Sequence, residues 1–229
     1  MKSEIYIADT YTNKNTASTA RLCVKGVLVG IDMVMQGKWK NGFCSVRPPG
    51  HHAGHKPRPN GFCIYNNVAI AAQYARKKYN VKKILIFDWD VHHCNGTESV
   101  FYDDPQTLVM SIHRFDDGVF YPNSGDPEKV GENEGKHFNV NVGWNTTKEV
   151  LPGFDEYVYA FDRLLGPIAK EFNPELILIS AGYDSAKGDH IGGIENTPEG
   201  YQYMAGKLMK ICSKVLAVLE GGYCIEVTA

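Results

Sequence analysis

No run of apolar residues in this chain approaches the roughly 18 that a membrane-crossing helix requires, so no transmembrane span is predicted. Neither sign of charge dominates: 24 Lys and Arg stand against 26 Asp and Glu, a formal net charge of −2. That balance supplies no electrostatic footprint for nucleic acid or for an anionic membrane. Cysteine is sparse, with six residues (23, 44, 63, 94, 212 and 224) and no short paired spacing of the zinc-knuckle or disulfide-scaffold kind. Several lie in apolar runs, where Cys behaves as a small hydrophobe, and a reducing intracellular compartment is expected. The start, Met1-Lys2-Ser3-Glu4, has no apolar leader and carries an acid early. Internal repeats, low-complexity tracts and a linker able to divide the 229 residues are also missing. One domain over 1–229 is the expectation.

What is present is a regular alternation. Hydrophobic content of 43% and charged content of 22% belong to an ordinary globular protein. Helical spacing covers 16–35, with Leu22, Val27, Ile31 and Val34 on one stripe, and an Ala-rich helix is expected over 67–79. Residues 154–172 also have helical periodicity, and Pro198 suits the first turn of a helix running to about 212. Between these lie short apolar runs at 42–46, 83–87, 107–112, 137–142, 175–180 and 215–219. Short buried strands alternating with amphipathic helices predict an α/β fold with a parallel sheet. The Gly- and Asp-rich segment 116–136 is the longest expected loop.

Four polar clusters follow apolar runs: Pro49-Gly50-His51-His52, Asp88-Trp89-Asp90-Val91-His92-His93, Gly182-Tyr183-Asp184 and Glu220-Gly221-Gly222-Tyr223. In a parallel sheet the strand ends gather on one rim, where ligand sites form. If the strand at 83–87 continues, alternation directs Asp88, Asp90 and His92 to one face. Asp90, His92 and Asp184 give three N/O ligands and leave a position for water, as in catalytic zinc sites. The oxygen-rich set also suits Fe(II) or another divalent ion. A His beside such a centre is a candidate general base, which draws attention to His51 and His52. Asp88 and Asn95 are candidates to orient the two imidazoles. After the paired glycines, the Tyr223 phenol is placed to donate to a developing oxyanion. Each cluster alone reads equally well as a polar turn; their joint presence at four strand ends argues for a site.

These segments resemble the histone deacetylase superfamily, specifically its class II members. The resemblance rests on Arg47-Pro48-Pro49-Gly50-His51-His52-Ala53, Gly61-Phe62-Cys63, Asp88 to His93 with Asn95-Gly96-Thr97, Ser111-Ile112-His113-Arg114, Ser180-Ala181-Gly182-Tyr183-Asp184 and Leu219-Glu220-Gly221-Gly222-Tyr223. It runs in order along nearly the whole chain. It implies an arginase/deacetylase-type three-layer α/β fold with a central, mostly parallel sheet, and zinc-dependent hydrolysis of acetyl-lysine. By that resemblance Asp90, His92 and Asp184 are zinc ligands, His52 is the general base, His51 its electrostatic partner, and Tyr223 polarises the acetyl carbonyl. Gly61, Phe62 and Tyr121 fall where the family lines the acyl-lysine channel, with Phe the usual residue at Tyr121. A structural potassium ion is implied at Asp88, Asp90, His92, Ser111 and Ile112.

Tyr223 stands where vertebrate class IIa enzymes carry His, and Ile191 stands where polyamine deacetylases carry a Glu gatekeeper. Both features resemble an active class IIb enzyme acting on acetylated proteins such as histone tails or cytoskeletal substrates, in nucleus or cytoplasm, with corepressor complexes as partners. The rivals are an acetylpolyamine or small-molecule amidohydrolase and a catalytically impaired acyl-lysine-binding scaffold. Two departures favour the last. Cys94 replaces a residue usually Gly, so a positive φ there would strain the turn and place a soft thiol beside the metal. The matched segments also imply a chain truncated at both ends, lacking a substrate-gripping loop and closing helices.

Overall fold

The computed structural model describes residues 10–55 and 58–228; residues 1–4, read above for the lack of an apolar leader, lie outside them. Helix α1 (Thr16–Met35) leads to strand β1 (Asn41–Cys44), and α2 (Asn67–Tyr79) to β2 (Ile84–Asp88). The short α3 (Asn95–Phe101) precedes β3 (Thr107–Arg114), and a long loop leads to β4 (Asn139–Trp144). Helices α4 (Phe154–Ala160) and α5 (Gly166–Phe172) precede β5 (Leu176–Ala181). Helix α6 (Pro198–Ile211), β6 (Val215–Leu219) and α7 (Ile225–Thr228) complete the order.

The strands form one sheet in the order β1-β6-β5-β2-β3-β4, with every neighbouring pair parallel. Both faces are covered. Leu85, Phe87, Met110 and Ile179 pack on one side with Tyr157, Phe161 and Met204 of the α4–α6 layer. Ile84, Ile86, Val109 and Leu178 pack on the other with Val27 and Ile31 of α1 and Ala72 of α2. Burial of alternate residues on opposite sides explains why these strands read as unbroken apolar runs.

Register then positions the site. Asp88 pairs with Ser111 on β3 and with Ser180 on β5; Ser180 pairs with Val218 on β6, and Val218 with Cys44 on β1. The segments carrying His51, Asp90, Asp184 and Tyr223 therefore all leave the sheet on one rim.

Several expected elements differ from those observed: the strand expected at 42–46 runs Asn41–Cys44, that at 107–112 extends to Arg114, and that at 175–180 runs Leu176–Ala181. The single helix over 154–172 is interrupted by a wider turn at Phe161–Leu165, where the Gly166 N–H reaches back to the Phe161 carbonyl. Pro167 follows and has no N–H to donate, so the wider turn absorbs the lost bond. The strand expected at 137–142 begins later, at Asn139, and runs to Trp144. The strand at 83–87 stops at Asp88.

Candidate metal centre

Because β2 ends at Asp88, Asp90 and His92 are not brought together by strand alternation, as expected from the sequence. They converge through two successive side-chain turns. The Asp90 N–H donates to Asp88 Oδ1 at 3.0 Å, and the His92 N–H donates to Asp90 Oδ1 at 2.9 Å. An Asp that accepts the N–H two residues on curls the chain without help from a neighbouring strand. The turn is pinned from outside where the Val91 N–H donates to Asp184 Oδ1 at 2.7 Å and the Arg114 N–H donates to the Val91 carbonyl at 2.9 Å.

The ligand atoms of Asp90, His92 and Asp184 lie within 4.8 Å of one another, and all three residues are buried. His92 Nδ1 is 3.0 Å from Asp90 Oδ1 and 3.1 Å from Asp184 Oδ2. Asp184 Oδ2 is buried with no hydrogen-bond partner, although its pair oxygen is engaged. Glycine makes the room: a Cβ at Gly221 would stand 2.6 Å from Asp90 Oδ2, and one at Gly182 would collide with the same carboxylate. Burial raises the Asp184 carboxyl to about 7, and the Asp90 charge adds to it. Burial opposes a charged His92, but the Asp184 and Asp90 carboxylates beside Nδ1 outweigh it and lift the imidazole to about 10. Two buried carboxylates and an imidazole, with one carboxylate oxygen that accepts no hydrogen bond, form a donor set that a divalent cation would satisfy.

A second group, His51, Cys63 and Glu220, has ligand atoms equally close. It suits a cation less well. Glu220 Oε2 already accepts the N–H groups of Gly50 (2.7 Å) and His51 (3.1 Å), and Oε1 accepts from Ser180 Oγ at 3.2 Å. Burial also pushes the Cys63 thiol up, away from the thiolate a metal needs.

Beside the Asp–His–Asp cluster, the rings of His51 and His52 lie 4.1 Å apart. His51 Nδ1 donates to Asp88 Oδ2 at 3.0 Å, and His52 Nδ1 donates to Asn95 Oδ1 at 2.7 Å. Burial disfavours a charged His51, but Asp90, Asp88 and Glu220 overcome it and hold the imidazole well above its ordinary range. Burial takes His52 the other way, with the His51 charge adding to it. The two rings are thus pushed in opposite directions, and the Nδ1 bond to Asn95 leaves Nε2 as the basic nitrogen of a neutral His52.

The expected wall residues gather on this pair. Gly61 has φ +50° and abuts the His52 ring; a Cβ there would lie 2.9 Å from His52 Cγ. Tyr121 packs edge-on to His52 at 5.1 Å and to His92 at 5.8 Å, and its hydroxyl donates to Asn60 Oδ1. The Tyr223 ring stands 6.2 Å from Phe62 and 6.5 Å from His92. Ile191 is 45% exposed on the 189–193 loop. Of the implied potassium set, Asp88 and Ser111 are side by side in register, while Ile112 packs in the apolar core.

Three contributors carry no role in the sequence reading above. Glu220 anchors the backbone of the His pair, as just described. Asp189 ties two loops: Oδ1 accepts the Ile191 N–H at 2.8 Å and Oδ2 accepts the Tyr223 N–H at 2.7 Å. Phe120 stacks on His92 with ring centres 5.3 Å apart and planes 11° apart. A buried acid directly after the β6 apolar run was a legible signal for Glu220; Asp189 and Phe120 had none. The strain expected at Cys94 is not found: its φ is −78°, its side chain is buried in the apolar cluster of α1 and α2, and it belongs to neither ligand group. Burial pushes its thiol up as well.

The family profile described as "Histone deacetylase domain" matches residues 2–229. Histone deacetylase HDA1 of Candida albicans is 43% identical over 94% of this chain and 26% of its own length. Polyamine deacetylase HDAC10 of Homo sapiens is 45% identical over 94% of this chain and 32% of its own length. The chain therefore spans between about a quarter and a third of these relatives. The crystal structure of the HDA15 HD domain superposes with a TM-score of 0.93 at 42% identity, covering 97% of this chain and 62% of that one. With that likeness in both fold and sequence over nearly its full length, the chain belongs to the histone deacetylase domain family.

Proposed function

We propose that this protein is a zinc-dependent lysine deacetylase acting on acetylated proteins. The observation that carries the reading is the stacked imidazole pair, His51 bonded to a carboxylate and His52 to an amide, beside the three-donor cluster of Asp90, His92 and Asp184. Asp90, His92 and Asp184 would hold the zinc, which when bound supplies Lewis acidity toward an amide carbonyl and a water. His52 Nε2 takes the proton of the attacking water and delivers it to the departing lysine amine. Asn95 holds the His52 tautomer that leaves Nε2 basic. The His51 charge, fixed by Asp88, stabilises negative charge as it develops. The Tyr223 phenol stays protonated, because burial pushes it up and the Asp90 charge adds to this, so it donates to the oxyanion. Gly61, Phe62 and Tyr121 form the walls that seat the acyl-lysine stem. Potassium at Asp88, Asp90, His92, Ser111 and Ile112, a class IIb-like subclass, histone-tail or cytoskeletal substrates, corepressor partners and nuclear or cytoplasmic residence follow from the same family likeness and stand as parts of this proposal.

A second reading, hydrolysis of acetylated polyamines, is favoured by the name of the human relative. Ile191 weighs against it, since an aliphatic rim residue offers no carboxylate to a cationic substrate. The neighbouring acid, Asp189, has both oxygens engaged by backbone N–H groups. Zinc stoichiometry measured beside turnover of an acetyl-lysine peptide and of acetylspermidine, with Asp184→Asn as control, tests both. Bound zinc with neither substrate cleaved would favour a binding scaffold and overturn the enzyme reading.

A further inference from the structure

Among the described residues the Tyr223 phenol makes no hydrogen bond of its own. Its ring rests against Phe62 and His92, so its aim depends on where the backbone holds it. Upstream, the Gly221 N–H donates to Asp90 Oδ2 at 2.9 Å, and the Gly221 carbonyl accepts from the Tyr183 N–H at 3.0 Å. Between that anchor and Tyr223 stands Gly222 at φ +133°, a residue with wide backbone freedom. A second anchor is therefore needed, and it comes from another loop.

Asp189 supplies it. Oδ2 accepts the N–H of Tyr223 at 2.7 Å and of Cys224 at 3.2 Å. Oδ1 accepts the N–H of Ile191 at 2.8 Å and of Gly192 at 3.3 Å. The Asp189 N–H donates to the Ala186 carbonyl at 3.0 Å. This loop leaves the sheet through Asp184 and returns to it, because a Cβ at Gly192 would run into the Asp184 carbonyl. A buried Asp that serves only its own loop is an ordinary turn. Here one oxygen serves its own loop and the other reaches 34 residues along the chain to a second. The phenol is thereby tied to the same loop as a metal-ligand candidate.

We propose that Asp189 is a positioning residue that fixes the Tyr223 phenol beside the Asp90–His92–Asp184 cluster by holding the Tyr223 and Cys224 N–H groups. The inference rests on the lysine deacetylase reading. Without the carboxylate, Gly222 lets the Tyr223 backbone drift, and the phenol no longer meets the developing oxyanion at hydrogen-bond distance.

Two ketone peptides of one sequence test this on the zinc-loaded protein by calorimetric titration, without turnover. In both, the acetyl-lysine amide is replaced by a ketone that cannot be hydrolysed. The methyl ketone stays a planar carbonyl; the trifluoromethyl ketone adds water and becomes tetrahedral, so it reads contacts made to the oxyanion. Wild type is expected to favour the trifluoromethyl ketone. Tyr223→Phe should cut that preference by about 10²-fold, the scale of one oxyanion donor. Asp189→Ser, too short to reach both loops, should cut it roughly tenfold or more, with zinc content unchanged. The double variant should go no further than Tyr223→Phe, since both act through one phenol. A preference unchanged in Asp189→Ser, equal weakening of both ketones, or additive losses in the double variant would overturn the inference and leave the deacetylase reading intact. If Asp189→Ser does not fold, amide exchange in wild type decides: protected Tyr223 and Cys224 N–H groups support the tie, and free exchange at both overturns it. A zinc-loaded wild type that does not distinguish the two ketones removes the deacetylase reading, and the inference with it.

Discussion

His51 donates to the Asp88 carboxylate at 3.0 Å in full burial, with the charges of Asp90 and Glu220 also close by. His52, stacked 4.1 Å away, donates instead to the uncharged amide of Asn95. Two identical side chains, adjacent in sequence and equally buried, are therefore pushed in opposite directions by the groups around them. A charged imidazole beside a neutral one is a useful pair for hydrolysis, since one stabilises anionic charge and the other accepts a proton.

Replacing the amide by a carboxylate should erase that difference. In Asn95→Asp, a negative charge beside His52 raises a pKa that burial and His51 otherwise depress below 6.5. His52 would then remain protonated at mildly acidic pH, so the acid limb of the kcat/KM profile moves to higher pH. A limb that does not move would show that His52 is not the base. His52→Ala should lower kcat by about 10²–10⁴-fold, the usual contribution of a general base.

Asp184→Asn removes the charge at the buried oxygen that accepts no hydrogen bond while keeping an acceptor for the Val91 N–H. The fold should persist. Metal affinity should fall by more than the roughly 10–100-fold typical of losing a supporting partner, as read by competition with a chromogenic chelator.

Gly61→Ala tests the contact between Gly61 and His52, the proposed channel wall and the proposed base. The added Cβ overlaps the His52 ring, and φ +50° disfavours any side chain, at a cost of about 1–2 kcal/mol. Activity should drop far more than this modest loss of stability explains. Thermal melts and peptide turnover, measured together, separate the two effects.

Glu98 links pH to stability through a carboxylate outside the Asp90–His92–Asp184 cluster. Its Oε2 accepts from His93 Nε2 at 3.2 Å, Asn139 Nδ2 at 2.7 Å and Asn141 Nδ2 at 2.9 Å. Burial pushes this carboxyl up, but these donors prevail and hold it below its ordinary 4.5. A depressed acid stabilises the fold above its unfolded pKa and loses that contribution as pH falls through the folded value. Glu98→Gln should therefore be less stable than wild type near neutrality, by about 1–3 kcal/mol for bonds to a charged group. The gap should close in acid, and a gap constant with pH in urea titrations would contradict the assignment.

Much of this was legible in the chain. Strand β6 and helix α2 occupy the residues their patterns predict, 215–219 and 67–79, because two-sided burial and helical spacing are local signals. The polar clusters after the apolar runs were likewise visible. The convergence of Asp90 with His92 was anticipated, but for the wrong reason: strand alternation was expected, and paired Asp-centred turns produce it. A side-chain-to-backbone turn depends on where the strand stops, and the apolar pattern does not mark that point sharply. Cys94 shows the reverse case, where residue type suggested strain that the backbone does not carry.

The sequence by itself determined the alternating α/β layers, the all-round burial of the central strands and the residue types available for metal and proton chemistry, since these depend on local periodicity and composition. Only the tertiary structure decided which of those residues act together. The His51–Asp88, Val91–Asp184, Arg114–Gly192 and Tyr223–Asp189 contacts join positions between 34 and 93 residues apart. Parallel register places such distant strand ends on one rim, and burial there sets the charge on each group; neither is a property of any short stretch of chain.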